Sequence, residues 1–170
     1  MLDEDVTISD LIKDIEDIKK NYHQSFLDDL TSLGDFISSL EIKKKGYVDS
    51  TVSLIMELYR QLYGEALLYF NHKKEDIFKD IITISKKGIK GFSGTSGISS
   101  MINNTYDDFN TYILDISKLL HNIEETRNID KNIFVKIDLL KEKINEVSKK
   151  DNSLLDKLFK IIINSKQKQS

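Results

Sequence analysis

The stretch ISDLIKDIEDIKKNYHQSFLDDLTSLGDFISSL, residues 8–40, decides the fold class of this chain. Its apolar residues follow one another at intervals of three and four: Ile8, Leu11, Ile15, Ile18, Tyr22, Phe26, Leu30, Leu33, Ile37 and Leu40. This spacing places all of them on one face of an α-helix, so we expect a first helix about 50 Å long. Thr7 and Asp10 offer a capping box at its start, and Gly46 allows the chain to reverse after its end.

The same spacing continues through the rest of the chain. We expect further helices over about 50–71, 74–87, 96–125, 131–150 and 153–165. The apolar face of the helix at 96–125 is Met101, Thr105, Phe109, Tyr112, Ile116, Leu119 and Ile123. No segment alternates apolar and polar residues for long enough to make a strand. The prediction is therefore one all-α domain over 1–170, an antiparallel bundle of about five to six helices with a central Gly/Ser-rich loop. Residues 1–6 and 166–170 are expected to be frayed.

Composition excludes several classes of function. Hydrophobic residues at 39% and charged residues at 31% are typical of a folded domain, and the net charge of −3 gives no sign of a nucleic-acid-binding protein. No apolar run reaches the roughly 18 residues of a membrane span. The absence of cysteine excludes disulfides and thiolate sites. Because the acidic start MLDEDVTISD is not a signal peptide, we expect a cytosolic chain or a mature segment without its leader.

The sequence offers little catalytic chemistry. His72 with Glu75, and His121 with Glu124, each place an imidazole one helical turn from a carboxylate, which we interpret as solvated surface pairs. The segment GIKGFSGTSG, residues 88–97, matches neither the Walker A pattern nor the dinucleotide pattern. No serine lies in a G-x-S-x-G turn. We therefore predict a non-enzyme with no metal and no other cofactor.

The Gly88–Gly97 loop is the one long irregular segment, and binding residues concentrate in loops on rigid scaffolds. We expect it to contact a partner together with the first turns of the next helix. The predicted contact residues are Lys90, Phe92, Ser93, Thr95, Ser96, Asp107 and Asp108. Phe92 is the expected anchor, since aromatic side chains often carry interface energy. The alternative, in which Phe92 folds inward over the end of the bundle, stays open.

A family resemblance supplies a specific partner. The chain is rich in Lys, Ile and Asn, lacks cysteine, and has only Arg60 and Arg127 as arginines. In this composition the chain resembles the surface lipoproteins of Borrelia spirochaetes. The helices that flank IKGFSGTSGISSMINNTYDDF (residues 89–109) make it most similar to the factor H-binding protein A group of relapsing-fever species. The resemblance implies a lipid-anchored outer-surface protein that binds host complement factor H for immune evasion, with plasminogen as a second ligand.

Two other hypotheses stay open at this point. One is an intracellular helical adaptor, such as a viral Bcl-2-like inhibitor or a phage anti-defence protein, because low arginine content also suits AT-rich viruses. The other is a structural bundle that assembles through the apolar face of its first helix. A lipidated cysteine upstream in the gene would favour the surface protein over the intracellular adaptor.

Overall fold

The computed structural model describes residues 7–42, 50–73, 79 and 95–167. These residues are helical apart from short connections, and none of them belongs to a strand. The all-α helical bundle predicted from the sequence is confirmed. Most of the predicted helix over 74–87, and residues 88–94 of the predicted loop, lie outside the described residues.

Six α-helices and two π-helical turns make up this part of the chain. Helix α1 (Ile8–Ile18), a first π turn (Lys19–His23) and α2 (Gln24–Ile42) form one continuous helix. Helix α3 (Ser50–Leu68) continues into a second π turn (Tyr69–Lys73). Helix α4 (Thr95–Asn122) is followed by the single turn α5 (Glu124–Arg127) and by α6 (Asn132–Gln167).

The four long helical segments pack as an antiparallel bundle. Lys157 pairs with Asp14 and Lys143 pairs with Asp29, so α6 runs opposite to α1 and α2. The Tyr112 hydroxyl donates to Glu65 at 2.9 Å, and the Tyr69 and Tyr106 rings lie 5.5 Å apart, so α4 runs opposite to α3. Each segment thus packs beside its neighbour in sequence, and α6 closes the bundle against the first helix.

The start of α1 forms as predicted. The Asp10 N–H donates to Thr7 Oγ1 at 3.2 Å, and the Thr7 N–H donates to Asp10 Oδ2 at 3.0 Å. These reciprocal bonds satisfy two backbone donors that a helix N-terminus leaves without partners. The bonds from Thr7 also hold the pKa of Asp10 below its usual value. The capping box is confirmed.

The first π turn corrects the predicted apolar face of the first helix. A π turn takes one more residue than an α turn, so the inward position after Ile18 falls on His23 rather than on Tyr22. His23 is buried, whereas Tyr22 is half-buried beneath the ammonium group of Lys150. Beyond the turn the predicted face resumes at Phe26, which is fully buried.

The predicted apolar face of the fourth helix, now α4, is wrong by about one residue at several positions. The buried apolar positions of α4 and of the residue after it are Ile102, Tyr106, Phe109, Ile113, Ile116, Leu120 and Ile123. Met101, Tyr112 and Leu119 are only partly buried. Both sets have intervals of three and four, so periodicity alone could not separate them. Packing against α3 on one side and α6 on the other selects the observed face.

The predicted fifth and sixth helices are one helix, α6. The expected break between residues 150 and 153 does not form, and the helix continues through it. No glycine or proline occurs there to force an interruption. Instead Asp151 points into the core and is only 2% exposed. The described residues therefore contain four long helical segments, where about five to six helices were expected for the whole chain.

Gly34 permits a close approach between two of these segments. The Tyr59 hydroxyl, from α3, donates to the Leu30 carbonyl of α2 at 2.8 Å. A Cβ at Gly34 would overlap the Tyr59 ring, whose Cε1 atom would lie 2.8 Å away. The glycine inside the first helix is therefore explained by this crossing, since glycine otherwise destabilises a helix interior by about 1 kcal/mol.

Candidate functional site

The predicted partner-binding residues fall into two groups in the structure. Lys90, Phe92 and Ser93 lie outside the described residues. Thr95 and Ser96 form the first turn of α4, within one or two residues of the predicted helix start. The last residues of the predicted loop, 95–97, are therefore helical.

Asp107 and Asp108 lie farther along the same helix. Both are exposed, as expected for rim residues of an interface. They follow Thr95 by twelve and thirteen residues, which corresponds to about 18 Å along a helix axis. The structure therefore does not bring them together with the first turn of α4 into one small site.

The structure contains a groove that was not predicted from the sequence. It has a volume of about 170 Å³ and lies between α2 and the first turns of α6. Leu33 of α2 and Ile137 and Leu140 of α6 are buried residues that line it. Small-molecule sites usually measure at least about 300 Å³, so the groove suits one or two side chains of a protein partner better than a whole small ligand.

Apolar side chains stand exposed along the same face of α6. Val135 is 58% exposed and Leu139, which also lines the groove, is 56% exposed. These residues are four apart, so they are neighbours on the helix surface. At the edge of the groove, the Lys143 ammonium group donates to Ser25 Oγ at 2.7 Å and pairs with Asp29. This contact ties α6 to α2 beside the groove.

The interior contains a layer of polar side chains, one from each long helical segment. Asp151 of α6 is its centre: its Oδ1 lies 3.2 Å from Nε2 of His23. Its Oδ2 accepts from the Tyr69 hydroxyl at 3.2 Å and from the Tyr106 hydroxyl. All four residues are buried. We call His23, Tyr69, Tyr106 and Asp151 the polar layer.

Aromatic rings surround the polar layer. Phe70 lies with its ring centre 4.8 Å from the His23 ring and 5.6 Å from that of Phe26. Phe109 packs edge-on against Tyr106 at 5.7 Å. Burial among these rings, together with the nearby Asp151 carboxylate, raises the pKa of Tyr69 and of Tyr106 well above the usual value for a phenol. Both tyrosines therefore keep their protons at neutral pH.

Sequence reasoning missed this layer for two reasons. The inward position of His23 depends on a π turn, which has no recognised sequence signature here. Asp151, however, could have been recognised from the sequence. It lies four residues after Val147 and three before Leu154, so it occupies a position on the apolar face of the helix. A carboxylate at an inward helical position is expensive unless it has partners, so its place in the series could have indicated a buried network.

The histidine–carboxylate pair in the described residues lies at the surface, as the sequence indicated. His121 Nδ1 is 3.3 Å from Glu124 Oε2, and the His121 ring stacks on Phe134 at 3.8 Å. The His72 side chain and Glu75 lie outside the described residues. Within the described part of the chain, no three His, Asp or Glu side chains gather as a metal cluster.

Comparisons with known proteins give no further assignment. No protein-family model, no curated protein and no solved structure matches this chain. Among the described helices, none is both long enough and apolar enough to cross a membrane.

Proposed function

We propose that this chain is a non-enzymatic binding protein of the bacterial outer surface that captures a host macromolecule. The resemblance drawn from the sequence gives complement factor H as the partner and plasminogen as a second ligand. A lipid anchor would hold such a protein at the surface. Capture of a host complement regulator would then reduce complement deposition on the cell.

The observation that carries this proposal is the exposed apolar pair Val135 and Leu139 beside the groove. Single exposed apolar residues are common, but adjacent ones next to a concave surface mark interaction sites more often. The pair lies on a helix whose other face is buried in the bundle. It is therefore presented on a rigid support, so that little conformational entropy is lost on binding.

The charges at the groove indicate what the partner surface should contain. Lys136 is exposed and lines the groove, whereas the Asp29 carboxylate there is already paired with Lys143. A complementary surface would insert an apolar side chain against Leu33 and Leu140 and place a carboxylate near Lys136. Such a contact makes association faster at low ionic strength.

The experiment measures binding of purified factor H to the immobilised chain and to its Leu139→Glu variant. A charge at the centre of the contact should weaken binding by about 10- to 100-fold, as for a central interface residue. Leu54→Glu is the matched control, because Leu54 is a leucine of α3 with 49% exposure, and its replacement should leave binding unchanged.

Other outcomes contradict particular parts of the proposal. If Leu139→Glu binds normally and Phe92→Ala does not, the contact belongs to the predicted loop instead of the groove. If neither factor H nor plasminogen binds the parent chain, the partner assignment is wrong.

A further inference from the structure

The polar layer contains more polar and ionisable side chains than the packing of a bundle interior requires. Four helical segments each direct one polar group to the same point, where apolar residues would pack without any desolvation penalty. The groups are one carboxylate, one imidazole and two phenols. The rings of Tyr69 and Tyr106 also pack edge-on against each other, with their centres 5.5 Å apart.

Both π turns of the described residues adjoin this layer. The first ends at His23 and turns its ring into the core, and the second begins at Tyr69. A π turn is less favourable than an α turn and occurs frequently at functional sites. Two such turns, on different helices, supply side chains to the same carboxylate, which favours a role beyond packing.

The spacing of the donor atoms is compatible with a shared cation. Oxygen and nitrogen ligands bind a metal ion at roughly 2.0–2.2 Å, so adjacent ligand atoms lie on the order of 3 Å apart. Asp151 Oδ1 and His23 Nε2 are 3.2 Å apart, as are Asp151 Oδ2 and the Tyr69 hydroxyl. An ion would lie beside these atom pairs, and the side chains would have to turn toward it and give up their present hydrogen bonds.

We propose that the polar layer is a binding site for ferric iron, with Asp151, Tyr69, Tyr106 and His23 as ligands. The site lies within the bundle, apart from the groove, and does not depend on the proposed function. It departs from the prediction, made from the sequence, that the chain carries no metal. That prediction rested on the lack of cysteine and on two histidine–glutamate pairs, each one helical turn apart.

The summed charge of the proposed ligands favours a trivalent ion. One carboxylate and two phenolates carry three negative charges, which a ferric ion neutralises, and a buried assembly without net charge avoids most of the desolvation penalty. Hard oxygen donors with one imidazole suit iron, whereas structural zinc sites favour thiolate and histidine. Without thiolates, and with two phenols among its ligands, the layer is better suited to ferric iron than to zinc.

Binding must release the two phenol protons. In the metal-free layer both hydroxyls keep these protons and donate hydrogen bonds to Asp151. Each proton released would be replaced by a metal–oxygen bond. The aromatic rings of Phe26, Phe70 and Phe109 would exclude water from the bound ion.

The test adds ferric nitrilotriacetate to the purified metal-free chain and records visible absorption. Iron bound to tyrosinate gives a charge-transfer band that neither the reagent nor the protein shows alone. We expect a saturating band, one iron per chain by elemental analysis, and a raised thermal midpoint. Tyr106→Phe should weaken iron binding at least about tenfold, an effect that even loss of an outer-shell partner can produce.

Controls separate this site from adventitious binding. Tyr112→Phe removes a phenol outside the polar layer, whose hydroxyl donates to Glu65 of the neighbouring helix, and it should keep the full band. His121→Ala should also keep it, because the His121–Glu124 pair lies at the surface. A folded parent chain that develops no band overturns the proposal and leaves the layer a hydrogen-bonded structural feature. An unchanged band in the double variant Tyr69→Phe with Tyr106→Phe overturns it as well.

Discussion

Asp151 contacts three other helical segments, and its replacement measures how much the polar layer stabilises the metal-free fold. Removing its carboxylate leaves the Tyr69 and Tyr106 hydroxyls and the His23 ring buried without this acceptor. Loss of one partner from a buried polar network is more destabilising than loss of an apolar contact, because the remaining groups stay desolvated.

We predict that Asp151→Ala lowers the free energy of unfolding by about 3–5 kcal/mol. Urea denaturation of the metal-free protein, followed by circular dichroism, measures the change. Asp156→Ala is the control on the same helix: Asp156 is exposed, so its replacement should change stability by less than about 0.5 kcal/mol. Equal effects of the two replacements would contradict a stabilising role for the layer.

At the scale of the element, the first π turn accommodates one extra residue in an otherwise regular helix. With this extra residue in the turn, His23 is the buried residue between Ile18 and Phe26. A helix can lose a residue from such a turn and return to the α form, with its apolar face still continuous. A residue lost elsewhere rotates one half of the helix by about 100° relative to the other half.

We predict that deletion of the exposed Lys20 from the π turn leaves a folded bundle, with stability changed by no more than about 2 kcal/mol. Deletion of the exposed Asp28, in the regular part of α2, should abolish cooperative unfolding. Thermal melts of both variants compare the two outcomes. If the Lys20 deletion is as damaging as the Asp28 deletion, the π turn is not a simple one-residue insertion.

At the scale of the whole molecule, buried tyrosines make stability depend on alkaline pH. Burial, with Tyr63 and Asp35 nearby, raises the pKa of Tyr59 to about 12. The pKa values of Tyr69 and Tyr106 are raised further, first by burial and then by Asp151. The folded state thus holds these protons more tightly than the unfolded chain, in which tyrosine ionises near pH 10.

The sign of the effect follows from linkage. The stabilisation from these three tyrosines is fully present below about pH 10 and is lost as the pH rises above it toward their folded-state values. We predict a fall in the urea midpoint across this range. Ultraviolet absorption follows tyrosinate directly, because the chain has seven tyrosines and no tryptophan.

A double replacement, Tyr69→Phe with Tyr106→Phe, separates the buried tyrosines from other alkaline effects, such as deprotonation of lysine. Its midpoint should fall less steeply with pH than that of the parent chain. Parallel curves for the two proteins would contradict the assignment of the effect to Tyr69 and Tyr106.

The sequence by itself determined the class of fold. Intervals of three and four between apolar residues specify a helix with one buried face, whatever it packs against. The capping box at Thr7 likewise depends only on residues three positions apart. Such local rules predicted the first helix and its start, and most of the buried positions on it. They left the partner and the binding surface as proposals.

Only the tertiary structure decided which face α4 buries, that α6 is continuous, and that four distant polar residues meet. Met101 and Ile102 fit the same period equally well, and the neighbouring helices select Ile102. Asp151 follows Tyr69 by 82 residues and Tyr106 by 45, so no local spacing connects them. A polar side chain is stable inside a bundle only when it has hydrogen-bond partners there. In this layer the partners lie on other helical segments, so only the packing of those segments brings them together.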